Sequence, residues 1–317
     1  MLGRNGQRST DGSQQTVIRP GTPQGPLPAD EFKARAAANF FRPAGEYHPD
    51  KGHPCHRIPP KQVQNGENGN VKSISQRHDA YGQQMWTFLN GGGTPTEIVE
   101  RDDGFVSIAG SNAAYFADVR HWPAGERKAI RLARGRRALD VGCGAGRVAL
   151  HLQAKGFDVT AIDNSPLVVK TAKARGVKDA RVLPFEQITR FKPASFDTVV
   201  MFGNNFGLFG SRARARRLLK HLHRITRDNA VLIAQSLDPH QTNEPAHLSY
   251  QRRNYRRGRL PGQIRIRIRF HEFVGPWFDY LLVSQAEMSA IVNGTGWDVD
   301  RFLTEDGPRY VAVIRRV

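Results

Sequence analysis

The sequence predicts an α/β fold in which a doubly wound, mostly parallel sheet carries helices on both faces. Apolar segments of strand length alternate with helical segments from residue 137 to residue 237, and repeating strand–helix units form parallel sheets with right-handed crossovers. A glycine-rich turn joins the first strand of this series to its helix. A chain of 317 residues, 39% of them hydrophobic, is long enough to bury the core of such a domain.

The predicted strands and helices follow one another without long insertions. Gly156 and Gly176 stand where the first two helices should end, and Ser165-Pro166 is a typical cap and first turn for the second helix. The third helix has leucines on one face and basic residues on the other. Strands are predicted at residues 137–141, 157–162, 180–183, 196–202 and 230–237, and helices at residues 147–155, 165–176 and 211–226.

Composition divides the chain into three regions. Residues 1–71 are rich in glycine and proline and show no periodicity, which predicts a largely disordered tail. The histidines and the cysteine of this tail match no usual zinc spacing, so we expect no metal site. Residues 72–136 are predicted to form a helical and hairpin lid, and residues 137–317 the main domain. Within the lid we expect a helix near 78–89, a hairpin over 97–108 and helical structure over 112–133.

The last part of the main domain departs from the strand–helix rhythm. An Arg-rich hairpin insertion is predicted at about residues 245–275, because residues 264–270 alternate isoleucine and arginine as a half-exposed strand does. On that strand the isoleucines would share one face and Arg265, Arg267 and Arg269 the other. Later strands are predicted at 277–283, 298–303 and 310–315, with a helix at 285–293.

The basic charge of the chain leaves several partners open. The formal net charge is +18, from 47 Lys and Arg against 29 Asp and Glu, and such an excess attracts polyanions. The arginines of the predicted hairpin, with Tyr250 and Tyr255 among them, could bind RNA or DNA through phosphates and stacking. They could equally gate a pocket for a small acidic ligand, or form a solvated face above an apolar one.

The sequence predicts a cytoplasmic protein without a transmembrane segment. The chain has two cysteines, Cys55 and Cys143, far apart and in unlike contexts, which fits a reducing compartment. No apolar run reaches the roughly 18 residues of a membrane-spanning helix, and the first residues lack the apolar region of a secretory signal. The sequence makes no prediction about oligomeric state.

The segment Ala-Leu-Asp-Val-Gly-Cys-Gly-Ala-Gly-Arg at residues 138–147 carries the clearest chemical signal. Glycines at a strand-to-helix turn let a ligand approach the backbone, and the helix N-terminus offers free N–H groups. The same loop satisfies the GxGxxA pattern of dinucleotide enzymes. Asp140 in the strand would repel a pyrophosphate but suits a ligand that ends in an ammonium group. Asp163 ends the second strand, 23 residues further on, where a carboxylate can accept hydrogen bonds from ribose hydroxyls.

Residues 138–317 resemble the class I S-adenosylmethionine (SAM)-dependent methyltransferases. The glycine segment is similar to motif I of that family, and the Phe-Asp-apolar-apolar pattern of its fourth strand falls on residues 196–200. The segments at 203–210 and 276–284 resemble a poorly characterised prokaryotic group of these enzymes. The resemblance implies SAM as cofactor, S-adenosylhomocysteine as product, and seven strands in the order 3-2-1-4-5-7-6 with the seventh antiparallel. It implies a cofactor site made of Asp140, Gly142, Cys143, Gly144, Gly146, Asp163 and Asn164.

The residues that would hold the methyl acceptor are less defined. In this family the acceptor lies beyond the fourth strand, where Asn204 and Asn205 stand. Amides orient a polar group but are poor bases, and they also form turns. The chain lacks the (D/N)PP(Y/F) motif of amino-directed nucleic-acid methyltransferases. The candidate acceptor residues are Tyr115, Trp122, Asn204, Asn205, Arg267, Trp277 and Tyr280.

The predicted function is transfer of a methyl group from SAM to a small or anionic acceptor, and the sequence does not predict which acceptor or which atom. Transfer is an in-line displacement in which alignment contributes much of the catalysis. One alternative is an RNA methyltransferase that uses the Arg-rich hairpin. Another is a non-catalytic scaffold that keeps the fold and binds nucleic acid or protein.

Overall fold

The computed structural model describes residues 74–93, 96–304 and 307–317. The predicted tail at residues 1–71, with its expected disorder and lack of a metal site, lies outside the described residues. Within the described ranges, no helix is both long enough and apolar enough to cross a lipid bilayer.

The first described elements precede the main domain. They are helix α1 (Ala80–Leu89), strands β1 (Thr96–Arg101) and β2 (Val106–Ser111), and helices α2 (Ala113–Phe116) and α3 (Ala124–Ile130). The two strands pair antiparallel as a hairpin. The continuous helical structure expected over 112–133 is broken into short pieces, because Pro123 forces the preceding Trp122 into an extended conformation.

The strand–helix series follows the predicted pattern closely. It consists of β3 (Arg137–Val141), α4 (Arg147–Ala154), β4 (Asp158–Asp163), α5 (Pro166–Ala174), β5 (Asp179–Val182), β6 (Phe196–Met201), α6 (Arg212–Ile225) and β7 (Thr226–Leu237). The Ser165 hydroxyl accepts the N–H of Val168 and caps α5, and Ser211 caps α6 through the N–H of Arg214.

The remaining elements complete two sheets. They are α7 (Pro245–Arg256), β8 (Gln263–Phe270), β9 (Phe273–Val274), β10 (Phe278–Leu281), α8 (Gln285–Val292), β11 (Trp297–Thr304) and β12 (Arg309–Arg316). The larger sheet has the order β5-β4-β3-β6-β7-β12-β11, and β12 runs antiparallel to both of its neighbours. Counted along the chain within this sheet, the order is 3-2-1-4-5-7-6, so the expectation from the resemblance is confirmed.

The prediction of an Arg-rich hairpin over about residues 245–275 is wrong in its first half. Residues 245–256 form helix α7, whose buried residues His247, Tyr250 and Asn254 recur at helical spacing. Strand β8 therefore pairs with partners from elsewhere, β1 on one side and β10 on the other. Its alternation is as predicted, with Ile264 and Ile266 buried and Arg269 exposed.

Strands β10, β8, β1 and β2, in that order, with β9 added to β8, form a second sheet that we call the lid sheet. Its strands come from both sides of the strand–helix series, and Ile98 of β1 pairs with Arg269 of β8. Side chains of the lid sheet and residues at the carboxyl ends of β3 and β4 line one common cavity. The second sheet therefore covers the edge of the main sheet where ligands bind in open α/β folds.

Candidate active site

A cavity of about 450 Å³ lies between the carboxyl edge of the main sheet and the lid sheet. Its floor includes the glycine loop at residues 142–145 and the end of β4, and its roof includes Glu97, Ile266 and Tyr280. Helix α1 contributes a further wall through Tyr81. Its volume is in the range of pockets that take small organic ligands.

The glycines of the loop have different tasks. Gly142 has a φ of +68°, and a Cβ there would lie 2.5 Å from Nδ2 of Asn205. A side chain at this position would therefore collide with the amide that holds the loop. Gly146 does not line the cavity; it begins α4 with a φ of +82°, and a Cβ there would meet Val177 at 2.6 Å. Gly144 lines the cavity.

Asp163 binds the loop at the end of β4. Its carboxylate accepts the N–H of Gly144 at 3.3 Å and that of Ser165 at 3.1 Å. Burial raises the pKa of Asp163 to about 6, although these backbone hydrogen bonds lower it. Asn164 lines the cavity next to it. These two hydrogen bonds thus fix the carboxylate at the end of β4, where the resemblance predicts the ligand of the ribose.

Asp140 is a buried carboxylate that lacks a complete set of partners. It is 2% exposed, and its Oδ2 has no hydrogen-bond partner among the described residues. Burial raises its pKa to about 7, and the positive charge of Arg147 opposes this shift. A buried, unpaired acceptor of this kind costs stability unless a ligand satisfies it. The ammonium group of SAM is a fitting donor, so the orphaned oxygen supports SAM at this site.

The far end of the cavity is lined by Leu183, Pro184, Phe185 and Glu186, which follow β5. The Glu186 carboxylate forms an ion pair with Arg214 of α6. This end is therefore mainly apolar, with one charge that is already neutralised. It is the part of the cavity that suits a flat, weakly polar base such as adenine.

A group of three tyrosines surrounds a buried glutamate under the lid sheet, and we call Glu97, Tyr81, Tyr115 and Tyr280 the Glu97 cluster. Glu97 is 5% exposed, and the Tyr115 hydroxyl donates to its Oε2 at 3.1 Å. Burial raises the pKa of Glu97 to about 7, while hydrogen bonds from Tyr115 and Gln84 lower it. The rings of Tyr81 and Tyr115 meet edge to face, with centroids 5.7 Å apart.

Sequence reasoning missed Glu97 and Tyr81. The available signal was the alternation along β1, where Glu97 and Val99 are buried and point to the same face of the sheet. An acidic residue on the buried face of a strand is uncommon, because burying an unpaired charge is costly. That pattern marks Glu97 as a candidate functional residue.

The structure brings together nine of the residues predicted for the site and separates five. Those that line the cavity are Tyr115, Asp140, Gly142, Cys143, Gly144, Asp163, Asn164, Asn205 and Tyr280. Those that do not line it are Trp122, Gly146, Asn204, Arg267 and Trp277.

Packing explains the positions of Trp122, Arg267 and Trp277. Trp122 is 3% exposed, donates its indole N–H to the Ala117 carbonyl and packs under the Arg147 guanidinium. Arg267 lies on the outer face of the lid sheet, where it makes hydrogen bonds of 2.8 and 2.9 Å to Glu100. Its guanidinium also stacks on the ring of Trp277. The structure therefore places these three predicted acceptor residues outside the lining of the cavity.

The two asparagines after β6 hold the backbone. Asn204 adopts a left-handed conformation with a φ of +61°, and its carbonyl accepts the Tyr280 hydroxyl at 2.7 Å. The Asn205 amide donates to the carbonyls of Val141 at 2.9 Å and Gly142 at 2.8 Å. Both N–H donors of Asn205 are therefore committed to the glycine loop, although the residue lines the cavity.

Comparisons with known proteins agree with this architecture. A sequence model of a methyltransferase domain matches residues 139–234. A protein of Geobacillus sp. (strain WCH70), named as a methyltransferase, is 28% identical over 116 residues, which are 36% of this chain and 46% of that protein. A ubiquinone biosynthesis O-methyltransferase of Xanthomonas euvesicatoria is 41% identical over 70 residues, 20% of this chain and 29% of that protein. The chain thus spans less than half the length of these curated relatives.

A solved structure matches over a larger part of the chain. The SAM-dependent methyltransferase of Bacteroides fragilis, in complex with S-adenosyl-L-homocysteine, is 26% identical with a TM-score of 0.65. The match covers 78% of this chain and 98% of that one, so it extends well beyond residues 139–234. Sheet order, glycine loop and these likenesses all agree: the chain has the fold of the class I SAM-dependent methyltransferases, and they support S-adenosylmethionine as its cofactor.

Proposed function

We propose that the protein transfers the methyl group of SAM to a small organic molecule held beneath the lid sheet. The observation that carries this proposal is the roof of the cavity: β1, β8 and β10 cover the carboxyl edge of the sheet above the cofactor loop. An acceptor must enter a space of about 450 Å³ that it shares with the cofactor. This volume favours a small molecule over a folded macromolecule.

The residues of the chain contribute mainly by position. Asp140 and Asp163 would hold the two polar ends of the cofactor, and Asn205 keeps the glycine loop in shape. SAM supplies an activated methyl group when it is bound. The lid sheet excludes water and aligns the acceptor, and alignment of two reactants in a closed site lowers the barrier of a displacement.

The RNA alternative has less support. It draws on the arginines of the predicted hairpin over residues 245–275, and those that lie on β8 are engaged in ion pairs on the outer face of the lid sheet. Arg267 and Arg269 contact Glu100 at 2.8 and 3.3 Å, and Arg265 contacts Asp279 at 3.5 Å. These arginines point away from the cavity and are partly neutralised, which weakens a phosphate-binding role.

Calorimetric binding of SAM and S-adenosylhomocysteine tests the proposal first. We expect micromolar affinity that falls at least tenfold, or about 1.4 kcal/mol, in Asp163→Ala. The matched control is Asp158→Ala, an exposed aspartate at the opposite end of the same strand, which should leave affinity unchanged. Absence of binding by folded protein would contradict the proposal. Salt-sensitive binding of RNA, with SAM-dependent methylation of that RNA, would favour the alternative.

A further inference from the structure

We propose that Glu97 is the general base of the methyl transfer and that the acceptor is a neutral aromatic hydroxyl held among Tyr81, Tyr115 and Tyr280. The inference rests on the proposed function, since it assigns the base and the acceptor class of that same site. Neither the family's motif I nor the residues after β6 supply such a base.

The geometry connects Glu97 with the cofactor loop. Its carboxylate accepts the Tyr115 hydroxyl at 3.1 Å, and the Tyr115 ring packs against Tyr81. Tyr81 in turn reaches the loop, because a Cβ built on Gly144 would lie 3.4 Å from the Tyr81 hydroxyl. Glu97 and the glycine loop line one cavity. The carboxylate and the cofactor loop thus face one cavity and are connected through Tyr115 and Tyr81.

Glu97 has no cationic partner among the described residues. No described Lys, Arg or His forms an ion pair with it. The two arginines that line the cavity, Arg147 and Arg214, are paired with Glu126 and Glu186. Folding alone gives little reason to bury a carboxylate without a counter-ion in this wall, because desolvation penalises its charged form. A ligand proton that can be shared with the carboxylate supplies that reason.

The groups around Glu97 set its proton affinity near neutrality. Tyr81 faces it from α1, Tyr115 from α2 and Tyr280 from β10, and burial raises the pKa of each phenol. The tyrosines therefore stay neutral and do not compete as bases. A carboxyl group with a pKa of about 7 is well matched to accept a proton at physiological pH.

The walls of the cavity favour a flat, neutral acceptor. Apolar and aromatic side chains surround the cluster: Val99, Ile266, Ile268 and Phe278. Aromatic rings prefer edge-to-face or offset contacts with other rings. An ammonium group has no free electron pair with which to attack the methyl carbon, whereas a neutral hydroxyl keeps one and can give its proton to the carboxylate as it attacks. A hydroxyl on an aromatic ring meets both requirements.

The proposed step balances without a further reactant. Glu97 takes the proton as the O–H bond of the acceptor breaks, and the oxygen forms its bond to the methyl carbon. The carbon–sulfur bond breaks with its electron pair on sulfur. The products are a methyl ether, a neutral Glu97 carboxylic acid and neutral S-adenosylhomocysteine, and Glu97 then returns its proton to water.

The test uses Glu97→Gln in the full chain, with Glu100→Gln as the matched control. Glu100 lies on the same strand but on the outer face of the lid sheet, where it pairs with Arg267. Phenol, catechol, 1-naphthol and 4-nitrophenol serve as probes with methyl-labelled SAM, and benzylamine serves as the cationic counterpart. Calorimetry gives the SAM affinity of each variant, and circular dichroism checks that each is folded.

We expect transfer to at least one of the hydroxyl probes, with kcat at least 10²-fold lower in Glu97→Gln and SAM affinity within twofold of wild type. The wild-type kcat should rise with pH through about 7, and this rise should be absent from the variant. A kcat of Glu97→Gln within threefold of wild type would overturn the role of Glu97 and leave the proposed function intact. Transfer to benzylamine alone, or to none of the probes by protein that binds SAM, would overturn the acceptor class. Failure to bind SAM would instead remove the proposed function itself.

Discussion

Asp79 and Ser165 are joined by a hydrogen bond of 2.6 Å that links helix α1 to the N-terminus of α5. The Asp79 carboxylate also accepts the N–H groups of Gly82 at 2.9 Å and Leu167 at 3.2 Å. One buried carboxylate therefore caps α1 and at the same time satisfies a free donor of α5. Since Ser165 is two residues from Asp163, this contact ties the wall that carries Tyr81 to the cofactor loop.

Replacement of Asp79 by alanine is predicted to loosen both the fold and the cofactor site. The change removes three hydrogen bonds of a residue that is 1% exposed, and loss of a helix cap with charged hydrogen bonds costs about 2 kcal/mol. Urea unfolding should show this loss, and calorimetry should show weaker SAM binding. The control is Asp118→Ala. The Asp118 side chain is 72% exposed and forms an ion pair with Arg120, and an exposed ion pair of this kind should contribute little to stability. Equal stability of the two variants would contradict the prediction.

The affinity for SAM is predicted to rise with pH because of Asp140. Its pKa is about 7 in the cofactor-free protein, and a bound ammonium favours the charged carboxylate, so binding must release a proton below that pH. Between pH 6 and pH 7.5 the association constant should increase by about eightfold, because the ionised fraction of a group with a pKa of about 7 increases by that factor. Calorimetry in buffers of different ionisation enthalpy measures the released proton directly.

Asp140→Asn is the variant that isolates this effect. It should bind SAM more weakly at pH 7.5 and lose most of the dependence on pH, with the remainder due to Asp163, whose pKa is about 6. An unchanged pH dependence in Asp140→Asn would show that this carboxylate does not meet the ammonium group.

The main sheet could be predicted from sequence because its signals are local. Each strand is a short apolar run between glycines and caps, and the glycine loop marks the order of the first elements. The lid sheet lacks such a signal, since paired residues such as Ile98 and Arg269 are far apart in the sequence. The alternation of buried and exposed side chains along β8 could be predicted, but no pattern in residues 245–275 indicates that β1 is its pairing partner.

The same difference between local signals and long-range pairing applies to the residues of the candidate site. Asp140, Gly144 and Asp163 belong to a local motif and line the cavity as expected. Glu97 lies in the site only because β1 pairs with β8. The same pairing places Arg267 on the outer face of the lid sheet, outside the site. Asn205 is near the expected place, yet its role depends on carbonyls of a strand more than sixty residues earlier in the chain. Residue type and spacing do not encode such contacts.

The stability of the cofactor-free protein should depend on pH through Glu97. Its pKa is about 7 in the folded state against an ordinary value of 4.5, so the folded chain binds more protons between these values. Stability from this group is therefore present at low pH and is lost as pH rises through about 7. The side chain introduced by Glu97→Gln cannot ionise. The free energy of unfolding of this variant, relative to that of wild type, should therefore be about 2 kcal/mol higher at pH 8 than at pH 5.

Urea unfolding of both proteins at pH 5 and pH 8 measures this difference. Glu100→Gln provides the comparison, since Glu100 sits beside cations on the outer face of the lid sheet. The same difference between Glu97→Gln and wild type at both pH values would mean that burial does not shift this carboxyl group.

Asn205→Ala distinguishes a positioning role from a catalytic one. The variant leaves the carbonyls of Val141 and Gly142 without their donor, and an unsatisfied buried acceptor costs about 1–3 kcal/mol. Because those carbonyls shape the glycine loop, we expect weaker binding of SAM and S-adenosylhomocysteine together with lower stability. A residue that acted on the acceptor would instead lower kcat and leave cofactor affinity unchanged. Calorimetry combined with steady-state kinetics separates the two, and an unchanged cofactor affinity would assign Asn205 to the acceptor.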